Sequence, residues 1–198
     1  MSQVVKKIPQ ARIRGVNEFS INIGTVNGSG SQTANLTLLR AIFKLGIPVS
    51  GKNIFPSNIQ GLPTWYKIRV SEKGYAGRRD AADIVVAMNP GTFSADQADL
   101  VDGGLFLYAD DINQDIQRED MILVPMPVKD LVRQAKPSRE LRGYVANMVY
   151  VGILAYLLSI PLDKLEEALE LHFKGNRKPI DLNLEVIKLA FKWAEENT

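Results

Sequence analysis

Apolar and polar residues alternate through Phe19-Ser-Ile-Asn-Ile23, the period of a half-buried strand. This run enters a glycine-rich turn, Gly24-Thr-Val-Asn-Gly28-Ser-Gly30-Ser. Leu36, Leu39, Ile42 and Phe43 then fall at helical spacing, so a helix is expected over 32–45 with Gly46 as its stop. Strand, glycine turn and helix in succession open a βαβ unit. Ile47-Pro-Val-Ser50 reads as a second strand whose proline suits an edge or a strand start. A polar loop is expected over 51–64, followed by a strand over 65–71 with Tyr66, Ile68 and Val70 on one face.

Asp83-Ile-Val-Val-Ala-Met88 is a near-continuous apolar run, the pattern of a parallel strand buried on both faces. A helix over 92–101, capped by Ser94 or Thr92, leads to strands at 103–108 and 121–124. Beyond Val128 the pattern is helical, with helices expected over 128–135, 140–158, 162–173 and 182–196. The 140–158 stretch is apolar on most faces, which places it in a core or an interface. The expected fold class is α/β: a Rossmann-like, mostly parallel, doubly wound sheet with a C-terminal helical extension. One domain over 1–198 is expected, its sheet part at about 17–127 and its helical part at about 128–198.

Composition narrows the function classes. The chain has 198 residues, 45% hydrophobic and 23% charged, as in globular proteins, and its net charge of +2 is too small to argue for nucleic acid. Lys6, Lys7, Arg12 and Arg14 read as a solvated lead-in. With no cysteine there is no disulfide, no thiolate nucleophile and no cysteine ligand for zinc or an iron–sulfur cluster. No apolar stretch reads as a signal peptide or a membrane span, so a cytoplasmic location without membrane contact is expected. His172 is the only histidine, which argues against a metal site, and its place near a helix end suits a partly charged imidazole. Asp110 and Asp111 lie just past a strand's carboxyl end, where a solvated turn is the simpler reading.

The glycine turn excludes two familiar nucleotide sites. A Walker loop needs a lysine after its last glycine, and Gly30 is followed by Ser31-Gln32. A dinucleotide fingerprint needs a third glycine and a later acidic residue, but Thr33 occupies the glycine position and no acid follows the second strand. A turn that exposes N–H groups at a helix start can still hold an anion. It can equally be a tight turn that lets the helix pack on the sheet.

Three segments carry a resemblance. They are Asn27-Gly-Ser-Gly-Ser-Gln-Thr-Ala-Asn35, Leu38-Leu-Arg-Ala41 and Lys52-Asn-Ile-Phe-Pro-Ser-Asn-Ile-Gln-Gly-Leu-Pro-Thr-Trp-Tyr66. With Val86-Ala-Met-Asn-Pro90, Gly103-Gly104, Pro125-Met-Pro127 and Asn147-Met-Val-Tyr-Val-Gly152, the chain resembles the gamma-type domain of 2-oxoacid:ferredoxin oxidoreductases. The likeness is greatest to the amino-terminal domain of the 2-oxoglutarate-type alpha subunit. The broader family has a Gly-Gly-Gln-Gly turn and an Arg-Gly-Gly segment, where this chain has Gly28-Ser-Gly-Ser-Gln32 and Asn58-Ile-Gln-Gly61.

The resemblance implies an accessory domain or subunit of an enzyme that oxidatively decarboxylates a 2-oxoacid and passes the acyl group to coenzyme A. Pyruvate and 2-oxoglutarate are the family's substrates, and the 2-oxoglutarate type is favoured. It implies that this chain binds no cofactor alone. Thiamine diphosphate, Mg and a [4Fe–4S] cluster are expected on partner alpha-type and beta-type domains, with ferredoxin reached through the complex and coenzyme A as cosubstrate. Gly28, Ser29, Gly30, Ser31 and Gln32 are then candidate contacts for coenzyme A phosphates. Lys52, Asn53, Phe55, Ser57, Asn58 and Gln60 are candidates for a loop facing a partner or the active site. The alternatives are an independent anion- or nucleotide-binding Rossmann-like module and, third, a stand-alone dehydrogenase. The sequence leaves open whether the chain is a separate subunit or a fragment of a longer one.

Overall fold

The computed structural model describes residues 16–55, 62–77 and 79–198. The basic lead-in (Lys6, Lys7, Arg12, Arg14) and the loop candidates Ser57, Asn58 and Gln60 lie outside these residues. The strands are β1 (Glu18–Val26), β2 (Val49–Ile54), β3 (Pro63–Ser71), β4 (Ala82–Ala87), β5 (Leu100–Ala109) and β6 (Ile122–Met126). The helices are α1 (Ser31–Lys44), α2 (Phe93–Ala98), α3 (Val128–Gln134), α4 (Arg142–Ala146), α5 (Met148–Leu157), α6 (Leu162–His172) and α7 (Arg177–Asn197).

The sheet order is β2-β3-β1-β4-β5-β6. Pairing is parallel from β1 through β6 and antiparallel at β1–β3 and β3–β2, so β3 alone runs against the other described strands. The chain leaves β1 toward β2 on one side, and β4 lies on the other. The carboxyl ends of β1 and β4 therefore flank a topological switch point, where open α/β sheets bind ligands.

Alternation in β1 sorts its side chains between two cores. Phe19, Ile21 and Ile23 join Leu38, Met148, Ile153 and Ile187 in the larger one. The smaller core, on the other sheet face, packs Phe93 of α2 against Val85, Leu100 and Phe106. On that face β1 presents Ser20, whose N–H and hydroxyl donate to Asp83 at 2.8 and 3.2 Å. It also presents Asn22, whose amide donates to Asp99 at 2.7 Å. Beneath the sheet, α5 and α7 cross closely at Gly152, where an added Cβ would lie 2.4 Å from the Ile187 carbonyl oxygen.

Four boundaries differ from the pattern of the sequence. The second strand runs to Ile54 rather than ending at Ser50, because Val49–Ile54 pairs with β3 from Val49↔Val70 to Ile54↔Trp65. Lys52 and Asn53 are thus strand residues, not loop residues. The helix expected over 92–101 closes at Ala98, since Leu100 buries itself in β5 opposite Ala82. The expected helix over 140–158 is a short 3-10 turn, α4 and α5, with Asn147 between the helices. Eight consecutive residues of α5, Met148 to Ala155, are buried in this chain's own core. Finally, α7 starts at Arg177 because Pro179 falls in its first turn, where a missing N–H leaves no helical bond unmade.

Candidate functional site at the glycine turn

The turn is built by backbone geometry. Gly28 and Gly30 have φ of 84° and 82°, in the left-handed region that glycine occupies without strain. Gly30 has a second constraint: an added Cβ would meet the Tyr144 ring at 3.0 Å and its backbone at 3.1 Å. The Ser29 carbonyl accepts from the Asn147 amide at 2.8 Å, which pins the turn to the α4–α5 junction. As N-cap of α1, Gly30 offers no capping side chain, and no acid occupies the first turn. The first N–H groups of α1 therefore keep their capacity for an anion.

A cavity of about 370 Å³ opens on this helix start. It gathers Gly28, Gly30, Ser31 and Gln32 from the turn with Asn53 and Phe55 from the end of β2. Asn53 reaches it because odd-numbered residues of β2 point to the α1 side of the sheet, and Phe55 follows just past the strand's end. Two candidates fall elsewhere. The Ser29 hydroxyl is buried without a hydrogen-bond partner among the described residues, and Ser29 lines a separate recess of about 160 Å³ with Thr25 and Met88. Lys52 points to the opposite sheet face, into a cavity of about 350 Å³ shared with Lys67 and Arg69.

A larger cleft of about 600 Å³ adjoins the first and shares Gly30, Thr33 and Tyr144 with it. Leu141, Tyr144, Val145, Phe173 and Leu182 line it, with Lys136 and Lys178. The sequence pattern missed this cleft because Tyr144 read as part of one long buried helix. It is 55% exposed. The available signal was the polar Ser138-Arg-Glu140 stretch with Gly143, which interrupts the apolar run before Val145.

Other titratable groups are accounted for locally. His172 lies 3.1 Å from the Thr33 hydroxyl, and burial, then the Arg40 charge, push its pKa down. Desolvation thus works against the partly charged imidazole expected at this helix end. Asp111 accepts from Lys129 at 2.8 Å, while Asp110 is raised by burial and by Asp111 and Asp130 beside it. Asp96 was not anticipated. Its carboxylate accepts from the Trp65 indole at 2.8 Å and the Thr92 hydroxyl at 2.7 Å, and burial raises it to about 6. Among the described residues no group of His, Asp and Glu is arranged to hold a metal, and no helix is long and apolar enough to cross a membrane.

Comparison with known sequences decides the family. The family model for pyruvate ferredoxin/flavodoxin oxidoreductase matches residues 20–193. The chain belongs to this family. A related oxidoreductase sequence, subunit alpha of 2-oxoacid:ferredoxin oxidoreductase 2 from Aeropyrum pernix, is 22% identical over 90% of this chain. The match takes in 34% of that relative, so the chain spans about a third of its length.

Solved oxidoreductases share the fold. The 2-oxoglutarate:ferredoxin oxidoreductase from Magnetococcus marinus, with 2-oxoglutarate, coenzyme A and succinyl-CoA bound, superposes with a TM-score of 0.75 at 23% identity. That match covers 92% of this chain and 32% of the Magnetococcus chain. The gamma subunit of a keto/oxoacid ferredoxin oxidoreductase from Geobacter sulfurreducens superposes at 0.72 with 16% identity, over 90% of this chain and 99% of that subunit.

Proposed function

We propose that this chain is the accessory, gamma-type component of a 2-oxoacid:ferredoxin oxidoreductase and contacts the phosphates of coenzyme A at its glycine turn. The observation that carries the reading is the 370 Å³ cavity, where turn residues Gly28, Gly30, Ser31 and Gln32 meet Asn53 and Phe55. Family membership supports the reaction class, a CoA-acylating oxidative decarboxylation. The uncapped N-terminus of α1 supplies anion affinity without a charged side chain. The Gln32 side chain is exposed and free to add a donor.

The residues present do not suit the redox cofactors. There is no cysteine for an iron–sulfur cluster and no acidic or histidine group placed for Mg among the described residues. On the family resemblance, thiamine diphosphate, Mg and the [4Fe–4S] cluster are taken to sit on partner alpha-type and beta-type subunits or domains, through which ferredoxin is reduced. In this division the chain's own residues position coenzyme A and shield it from water. The 2-oxoacid is taken to be 2-oxoglutarate, on the resemblance and on the ligands of the Magnetococcus enzyme.

Two measurements test the reading. A tagged chain should capture thiamine- and cluster-bearing subunits from its native cell, and recovery of the chain alone would favour an independent ligand-binding module. In the assembled enzyme Gln32→Glu should raise the apparent KM for coenzyme A about tenfold and leave KM for 2-oxoglutarate unchanged, the scale of one charge-assisted contact. An unchanged KM for coenzyme A would remove the phosphate role. Faster turnover of pyruvate than of 2-oxoglutarate would reassign the substrate.

A further inference from the structure

On the sheet face opposite α1, a cavity of about 350 Å³ lies over β1, β2 and β3, away from the glycine turn. Its volume falls in the range of small-ligand sites, roughly 300–1,000 Å³. Asn22 of β1, Lys52 of β2, Lys67 and Arg69 of β3, and Arg79 bring polar groups to its wall.

The strand register sets Lys52 directly opposite Lys67. Cross-strand neighbours on one sheet face have Cβ atoms about 5 Å apart, and like charges so placed repel. Asp99 answers Lys67 at 2.9 Å. Arg69 and Arg79 share Glu18, and Arg79 also reaches Asp83 at 3.4 Å. Lys52 has no acidic partner among the described residues. Four cations thus meet three carboxylates, which leaves one positive charge unanswered. On its other side Lys67 neighbours Asn22, which is fully buried. The Asn22 amide donates to Asp99, but its Oδ1 has no hydrogen-bond partner. A buried acceptor without a donor is costly to the fold.

We propose that this cavity binds a small monocarboxylate that carries a hydroxyl group, with the carboxylate between Lys52 and Lys67 and the hydroxyl donating to Asn22 Oδ1. One negative charge cancels the excess and relieves the repulsion between the lysines. The hydroxyl supplies the missing donor without adding charge, whereas an ammonium donor would restore the positive excess. A 2-oxoacid offers the carboxylate but no donor, so it meets only half of the site. Ala76, Ala81 and Ala82 give a short carbon skeleton an apolar wall. The cavity at the glycine turn opens on the α1 side, so this site stands independently of the coenzyme A reading.

The test is an NMR titration of the isotope-labelled 198-residue chain with lactate, propionate and pyruvate, which share a three-carbon skeleton. Lactate should shift the amides of Asn22, Gly51, Lys52 and Lys67 saturably. It should bind about fivefold more tightly than either of the others, the increment of one hydrogen bond. Lys52→Gln should weaken lactate and propionate alike, by about fivefold, and flatten their salt dependence. The same variant should melt no lower than the wild type without ligand, because it removes a repulsion, and should lose the rise in melting temperature that lactate gives the wild type. Its affinity for coenzyme A should be unchanged. Equal binding of the three acids, shifts confined to the glycine turn, or lactate binding untouched by Lys52→Gln would each overturn the proposal and leave the coenzyme A reading standing.

Discussion

Asp96→Asn should change the pH dependence of stability in one direction only. The carboxylate is inaccessible to solvent, between Trp65 on β3 and Thr92 at the start of α2. Burial raises its pKa from 3.8 to about 6. The Trp65 and Thr92 hydrogen bonds and the Lys67 charge oppose the rise, and Asp99 adds to it. Between these two values the folded chain holds a proton that the unfolded chain has released. Its contribution to stability is thus fully present below pH 3.8 and is lost as pH rises through about 6. The gap of about two units corresponds to about 3 kcal/mol at 1.4 kcal/mol per unit.

Asparagine removes this titration while keeping both contacts. Its carbonyl accepts from Trp65, and its amide donates to Thr92, whose hydroxyl can reverse its role. The variant should therefore match the wild type near pH 4 and exceed it by about 2–3 kcal/mol at pH 8. Urea unfolding of both proteins at intervals from pH 4 to 8, followed by tryptophan fluorescence, gives the difference free of carboxylates common to both. A difference that does not vary with pH, or a variant that loses ground as pH rises, would refute the reasoning.

Two further outcomes rest on packing and desolvation. Gly152→Ala places a Cβ 2.4 Å from a backbone oxygen of α7 and 2.7 Å from the Ala190 Cβ. It should cost about 1–3 kcal/mol, read as a lower urea midpoint with an unchanged slope, and an unchanged midpoint would mean that the two helices are not held this close. The single histidine, His172, should titrate below its ordinary value of 6.5 when its ring protons are followed by NMR. Arg40→Met should move it back up by removing the neighbouring charge, and a wild-type value above 6.5 would contradict the burial of the ring.

Local pattern determined much of this protein. Period-two alternation placed β1 and sorted its two faces, the unbroken apolar run marked β4 as buried, and helical spacing bounded α1 to within a residue. These signals are local because each strand or helix shows its own period whatever it packs against. Gly28 and Gly30 were legible for the same reason, since a left-handed turn before a helix asks for glycine at particular places, whereas Ser31 and Gln32 entered as candidates through the family resemblance.

Other features depended on the tertiary structure. Lys52 and Asn53 are neighbours in sequence and looked equivalent in a loop. Pairing with β3 makes them strand residues, and the pleat sends them to opposite sheet faces, so only Asn53 reaches the turn cavity. That pairing is antiparallel and joins segments across a connection, so no property of 51–54 alone could fix it. Tyr144 became a cleft wall when the apolar stretch broke at Asn147, whose amide binds the Ser29 carbonyl from 118 residues away. Asp96 acquired its raised pKa because α2 lies against the sheet and water is excluded. The backbone's own periodicity is written along the chain. Burial, pairing register and the facing of one side chain toward another are set by partners distant in sequence, which only the folded structure brings together.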